Sequence, residues 1–392
     1  MWALDKDVTH LNHGGFGATP IPVLEEQQLW RDRLEANPTR FLTTELADRL
    51  AEVRQVLGSF VGADADGLIL LHNATSGINA VVAHTDLAKG DRVVTTSHDY
   101  NACRGVLEYA ADRAGAEVTV VEIPFPIPTP DIVVDRVLAT IDDRTRLVML
   151  DHVTSPTALV LPLDRLVPLV ESMGVPVLID GAHAPGMVPV DIAALKPSYY
   201  AANCHKWMCS PKGSAFLWVA PEHRESFSPS VISHGWNRGT GPRFRRLADW
   251  MGTDDPTAWL SIPRAIDVIG STHPDEWKGV RSHNRELALE ARRLLAAVLA
   301  IDEPAPEEMI GAMATVPLPD GSGPEPLLRP SDETPMSKRL FVEHGIVAPV
   351  STWPRWPEQV IRISAQIYND ISEYERLAQV LPEMLSSIRQ VP

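Results

Sequence analysis

The chain has 392 residues, 44% of them apolar, which is enough to bury one large core and a second smaller one and excludes both a disordered chain and a disulfide-stapled miniprotein. Lys and Arg number 35 against 51 Asp and Glu, with no basic run to neutralise phosphates, so neither nucleic acid nor an anionic membrane is an expected partner. Cys103, Cys204 and Cys209 form no even framework and fit no zinc-ligand or CxxC spacing, and the N-terminal stretch MWALDKDVTHLNHGGFG has no basic region followed by an apolar one; free thiols, no metal and a cytoplasmic location are the expectation.

Taken in chain order, short apolar and β-branched runs alternate with helical patterns from about residue 67. GLILLHN (67–73), DRVVTTS (91–97), EVTVVEI (117–123), TRLVMLDHV (145–153), VPVLID (175–180), YYAANC (199–204) and GSAFLWV (213–219) read as seven strands. TSGINAVVAHTDLA, NACRGVLEYAADRAG and IVVDRVLATI between them carry apolar residues at helical spacing. This is the pattern of an α/β domain on a mostly parallel seven-stranded sheet. After about 285 it gives way to a long helix (NRELALEARRLLAAVLA), a Pro-rich acidic connection, the run VIRIS and a terminal helix from about 370, as in a smaller α+β C-terminal domain. The expected division is an N-terminal active-site segment over 1–20, a large domain over 21–265 and a small domain over 266–392.

Ligands of open parallel sheets collect at the carboxyl ends of the strands. There the sequence places Asp180 in IDGAHAPG and, one βα unit later, Lys206 in NCHKW. A carboxylate at a buried strand end needs a cation, unless it merely caps the following turn. The pyridinium nitrogen of pyridoxal 5'-phosphate (PLP) supplies one, and Asp180 then keeps that ring an electron sink. A lysine flanked by His205 and Trp207 sits in a partly desolvated pocket where its amine becomes nucleophilic enough for an imine, and can later move protons at a substrate Cα. The stretch HNATSG (72–77) opens a helix after a strand, with Thr75 and Ser76 at its N-terminus to receive a phosphate or simply to cap it. In TTSHDYN (95–101), either His98 or Tyr100 is suited to stack on a cofactor ring or donate a proton.

These motifs, with LNHGGFG, NATSGINAV, SHDYNA, DHVTSPTALVLP, SPKGSAFLW, GTDDPTAWLSIPRAID and RISAQIYN, resemble the class V aminotransferase family of fold-type I PLP enzymes, in its isopenicillin N epimerase-like branch. The resemblance covers nearly the whole chain. It implies a homodimer with Lys206 as the Schiff-base lysine, Asp180 as the pyridinium partner, His183 beside the ring's phenolic oxygen and His98 over the ring face. It further implies that Thr75, Ser76 and His205 bind the phosphate and that Thr253 reaches the phosphate of the neighbouring subunit. Ser155 stands where many relatives carry an Asn at the phenolic oxygen. Arg362 corresponds to the arginine that grips the substrate carboxylate, unless it forms a structural ion pair, with Asn12, His13, Gly14 and Phe16 beside it.

The cofactor does not name the reaction. Desulfurases of the family carry a cysteine shortly before the RIS motif, whereas VAPVSTWPRWPEQV has none. What remains is chemistry at Cα of an amino-acid substrate: carbon–sulfur β-lysis or a related deaminating or decarboxylating reaction on a bulky S-conjugated cysteine, with Tyr100 as acid, or epimerisation, or transamination. The branch suggests secondary metabolism, including antibiotic biosynthesis. Trp236, Trp250, Trp353 and Trp356 either wall a large substrate or pack an interface. Rivals of another class are a catalytically silent binding protein of the same fold and a nicotinamide enzyme, the latter opposed by HNATSG standing where GxGxxG belongs.

Overall fold

The computed structural model describes residues 1–329 and 332–388. Seven strands form the central sheet: β1 (Leu68–Leu71), β2 (Arg92–Thr96), β3 (Glu117–Val121), β4 (Thr145–Asp151), β5 (Val177–Asp180), β6 (Tyr199–Asn203) and β7 (Ala215–Val219). Their spatial order is β1-β7-β6-β5-β4-β2-β3, and β7 alone runs against the rest. Because helices cover both faces, the inner strands are apolar at every position and not only at alternate ones. Val177, Leu178 and Ile179 of β5 are wholly buried, and each such side chain contributes roughly 1.5–3 kcal/mol.

All seven expected strands are present, within a few residues at each end. The first ends at Leu71 because Asn73 leaves the sheet to cap helix α1 (Ala74–His84), its side chain accepting from the Ser76 N–H. Helices α2 (Asn101–Ala114), α3 (Asp131–Leu138) and α4 (Leu163–Ser172) complete the cover. The long helix α5 spans Glu276–Leu299 and so starts earlier than its apolar spacing indicates, since Lys278, Ser282 and His283 in its first turns interrupt the stripe.

The C-terminal part is a three-stranded antiparallel sheet of β8 (Met313–Leu318), β9 (Val350–Thr352) and β10 (Gln359–Ser364), with β10 central. It packs on α5 and the terminal helix α6 (Ile371–Ile388) through a second apolar core. Among the described residues no helix is long and apolar enough to cross a membrane.

The N-terminal segment connects the two parts. Thr9–His10 pairs in parallel with Ile346–Val347, and the glycines that follow let the backbone approach the loop after β6 closely. Gly17 has φ +73°, and a Cβ placed there would lie 2.0 Å from the His205 carbonyl oxygen. Replacing Gly17 with Ala is therefore expected to cost about 1–3 kcal/mol, read as a lower denaturant midpoint; an unchanged midpoint would show that the approach is not tight.

Candidate active site

The suspect residues converge where β4, β5 and β6 end. Asp180 is the last residue of β5, and Lys206 follows β6 by three positions. The loop carrying Lys206 is held from three sides. Asn203 accepts from the Ala74 N–H at 2.8 Å, which ties β6 to the start of α1. His205 Nδ1 lies 2.9 Å from the Ser214 carbonyl oxygen, so that nitrogen carries the proton and Nε2 is left uncommitted. His13, fully buried, donates from Nε2 to the Lys206 carbonyl at 3.0 Å and accepts at Nδ1 from the Tyr368 hydroxyl at 3.1 Å.

The protonation of Lys206 follows from its neighbours. Trp207 Nε1, which can only donate, lies 3.4 Å from His183 Nδ1, so that nitrogen accepts and His183 Nε2 bears the hydrogen. Lys206 Nζ lies 3.2 Å from the same Nε2. A donor on the histidine side requires an acceptor on the lysine side, and only the neutral amine has a lone pair to offer. Burial and the charge of Arg362 act in the same direction, bringing the Lys206 ammonium down to about 8. Burial, with Lys206 and Arg362 nearby, keeps His183 neutral by lowering it well below its usual value.

Asp180 is buried, and its carboxylate accepts from the Ala182 N–H at 2.9 Å and from the Cys103 thiol at 3.1 Å. Among the described residues it makes no salt bridge, and burial raises its carboxyl while Lys206 acts the other way. Arg362 is the converse case. Burial lowers it to about 10, its Nη1 donates to the Ser155 carbonyl at 2.6 Å and hydroxyl at 3.2 Å, and its Nη2 donates to Asn12 Oδ1 at 3.1 Å. Its Nε is buried with no partner. Among the described residues every partner of this guanidinium is neutral, so no structural ion pair holds it there. An uncompensated buried cation is a site for an anion.

Arg362 opens on a cavity of about 490 Å³ that Tyr100, Arg104, Ser155, Ser351 and Trp353 also line. A second cavity, of about 720 Å³, holds Thr75, Ser76, Thr253 and Trp250. There Asn73 takes both the N–H and the hydroxyl of Ser76, whereas the Thr75 hydroxyl has no protein partner among the described residues. Thr253 lies beside Thr75 and Ser76 of its own chain, with Asp254 paired to His72 at 2.6 Å.

Other expected site residues stand differently. His98 donates from Nε2 to the Ile123 carbonyl at 2.9 Å and accepts at Nδ1 from Thr157 at 2.6 Å, behind the ring of Trp353 at a centroid distance of 4.5 Å. Both its nitrogens are committed away from the Arg362 cavity, and it is Tyr100, 47% exposed, that opens into it. Ser155, expected at a phenolic oxygen, is bound to Arg362. Phe16 is 78% exposed and lines neither cavity. Gly14 packs at the back of the site, its N–H on Ser364 Oγ at 3.1 Å. Of the four tryptophans only Trp353 walls the Arg362 cavity, while Trp236 lies under Arg243 and Trp356 lines a separate cleft. The cysteines are all buried, and burial raises the thiols of Cys204 and Cys209.

These residues fit PLP. Asp180 is a buried carboxyl without a salt bridge among the described residues, Lys206 a buried amine of lowered basicity, Arg362 a buried cation among neutral acceptors, and α1 presents its N-terminus in the 720 Å³ cavity. Sequence reading missed Cys103 as a partner of Asp180 and missed Asp151 altogether; a lone acid inside TRLVMLDHV was the available signal.

The sequence profile of class-V aminotransferases matches residues 14–377. An isopenicillin N epimerase of Amycolatopsis lactamdurans is 34% identical, over 97% of this chain and 96% of its own. A protein of Arabidopsis thaliana described as a probable chloroplastic L-cysteine desulfhydrase is 28% identical, over 96% and 83%. Among solved structures, cysteine desulfurase CsdA of Escherichia coli superposes with a TM-score of 0.77 at 19% identity, over 98% of this chain and 96% of that one. The cystine C–S lyase C-DES, in complex with its product cysteine persulfide, gives 0.76 at 19%, over 96% and 97%. The two structures share the fold.

For the ligand-free protein, lysine labelled at the ε-carbon and followed by NMR is expected to show one residue, Lys206, titrating near 8. In Arg362→Met the midpoint rises, because a like charge has been removed, but stays below the usual lysine range, because burial is the larger cause. A Lys206 midpoint in the ordinary range would contradict the desolvated site.

Proposed function

The chain belongs to the class-V aminotransferase family, whose cofactor is PLP, and from that premise we propose that it is a carbon–sulfur β-lyase acting on cysteine with a bulky substituent on sulfur. The cofactor, when bound, supplies an electron-withdrawing ring that makes the Cα–H of the substrate acidic. The chain's own residues supply the rest. Asp180 holds the ring nitrogen by charge, and the N-terminus of α1 receives the phosphate with the Thr75 hydroxyl as a free donor, Ser76, His205 and Thr253 shaping the site around it.

Arg362 grips the substrate α-carboxylate, and its buried, unpaired guanidinium is the observation that carries this reading. It fixes the amino acid so that Cα comes to the Lys206 amine. With its ammonium brought down to about 8, Lys206 supplies neutral amine near physiological pH, and that amine takes the Cα proton. The Cβ–S bond then breaks with its electron pair staying on sulfur, and the Tyr100 hydroxyl protonates it. A thiol and a three-carbon enamine leave, and water converts the enamine to pyruvate and ammonia. Tyr100 and Trp353 line the same cavity as Arg362, which supports a substrate whose sulfur substituent lies against them. No cysteine stands between Val347 and Ser364, which speaks against a persulfide carried on the enzyme.

A second reading, epimerisation, is supported by the 34% identity to an isopenicillin N epimerase. It uses the same Arg362 anchor and the same removal of a proton by Lys206, with Tyr100 returning one from the other side.

Turnover of S-substituted cysteines in deuterated water separates the two. The lyase gives pyruvate and free thiol; recovery of substrate deuterated and inverted at Cα would instead establish the epimerase. Lys206→Ala is expected to lose activity by about 10²–10⁴-fold. Arg362→Lys should raise KM by roughly 10–100-fold, consistent with loss of about 1.5–3 kcal/mol of charged hydrogen bonding. Tyr100→Phe should slow thiol release while exchange of the Cα proton continues; equal loss of both would remove Tyr100 from the leaving-group step.

A further inference from the structure

Two buried carboxyl groups stand side by side at the carboxyl edge of the central sheet, and the chemistry above uses one. Asp151 ends β4, Asp180 ends β5, and the two are in-register partners in a parallel pair. In-register neighbours point to the same face of a sheet, so the carboxyls adjoin. Each residue is 3% exposed.

Their surroundings differ. Burial raises the Asp180 carboxyl, but it accepts from the Ala182 N–H and the Cys103 thiol, and both hydrogen bonds favour its ionised form. Asp151 Oδ2 is buried with no partner. The charged groups acting on Asp151 are Asp180 from β5, Asp99 from the loop after β2 and Arg104 from α2. Arg104 is already committed, donating from Nε and Nη2 to the two Asp99 oxygens at 2.7 and 2.9 Å. Arg104 thus faces both Asp99 and Asp151, and Asp99 holds it. Two adjacent buried carboxylates cannot both be charged without several kcal/mol of cost.

We propose that Asp151 keeps its proton at neutral pH and thereby confines the negative charge to Asp180, acting as a positioning residue for the cation that Asp180 holds. Burial and the neighbouring Asp180 both push the Asp151 carboxyl well above the usual carboxylate range. The two donors around Asp180 select it as the ionised member, and the orphaned oxygen of Asp151 selects the other as the protonated one. A protonated Asp151 is a hydrogen-bond donor, and the acceptor next to it on the same sheet face is Asp180. The role rests on Asp180 as the partner of the cofactor ring nitrogen, whereas the protonation itself belongs to the ligand-free protein and is tested there.

The sign of the pH dependence is fixed by linkage. Between the ordinary carboxyl value and the raised one, the unfolded chain has released this proton while the folded chain retains it, so stability falls as pH rises. Asp151→Asn removes that slope and keeps a donor through its amide. Three readouts apply to ligand-free protein. The infrared spectrum of the wild type at neutral pH should contain a protonated-carboxyl C=O band, and Asp151→Asn should lack it. The stability of Asp151→Asn relative to wild type should grow as pH rises above the ordinary carboxyl range. Affinity for added PLP should fall no more than several-fold in Asp151→Asn but at least tenfold in Asp151→Leu, which has no donor.

A wild type without the band overturns the proposal, with no variant needed. So does a band that survives in Asp151→Asn, a stability difference that does not change with pH, or equal loss of PLP affinity in both variants. Failure of the β-lyase reading would leave all three readouts as they are.

Discussion

A charge withdrawn from water has to meet an opposite charge or a full set of hydrogen bonds, and the carboxyl edge of the central sheet leaves that condition unmet within the chain. Arg362 is buried among neutral acceptors. Asp180 is buried among neutral donors. Between them Lys206 relieves the strain by giving up its proton, with His183 and Trp207 arranged so that a neutral amine is what the hydrogen-bond network accepts. A zwitterionic ligand with a cationic ring nitrogen and an anionic carboxylate completes both ends. The site is built as two halves of ion pairs whose partners arrive from solution.

The rest of the fold serves to hold those halves in place. Parallel strands bring Asp151, Asp180 and the Lys206 loop to one edge, and the N-terminal segment reaches across to His205 and Lys206 through Gly17 and His13. Arg362 comes from β10, in the other part of the chain, and is steadied by Ser155 and Asn12 from the first. The Arg362 guanidinium and the Lys206 loop are therefore fixed relative to one another by contacts between the two parts of the chain. A single buried histidine, His13, links the backbone of the base to Tyr368.

How much of this could be read in the sequence depended on whether a residue's role is set by its own strand or by a distant one. The strands were legible because each is a short, continuously apolar run. Asp180 and Lys206 were legible because a charge at the end of such a run is costly and has to be accounted for. Asp151 was not, since the run continues through His152 and Val153 and the acid becomes conspicuous only when β5 brings Asp180 alongside. The surroundings of His98 and Tyr100 are likewise non-local: Thr157 and the Ile123 carbonyl, from other loops, claim both nitrogens of His98, while Tyr100 lines the Arg362 cavity. Ser155 falls to Arg362 for the same reason. Phe16 points outward although its neighbours Asn12 and His13 are drawn in.

The central claim is that the uncompensated charges of this edge exist to receive an amino acid attached to its cofactor. A crystal structure of the PLP-bound enzyme soaked with alanine, which has nothing to eliminate, tests it directly. The account predicts the alanine carboxylate on the Arg362 guanidinium, with Nε now engaged, and the ring nitrogen against Asp180. A carboxylate bound elsewhere, or an Arg362 that has found an acidic side chain of the protein, would contradict it.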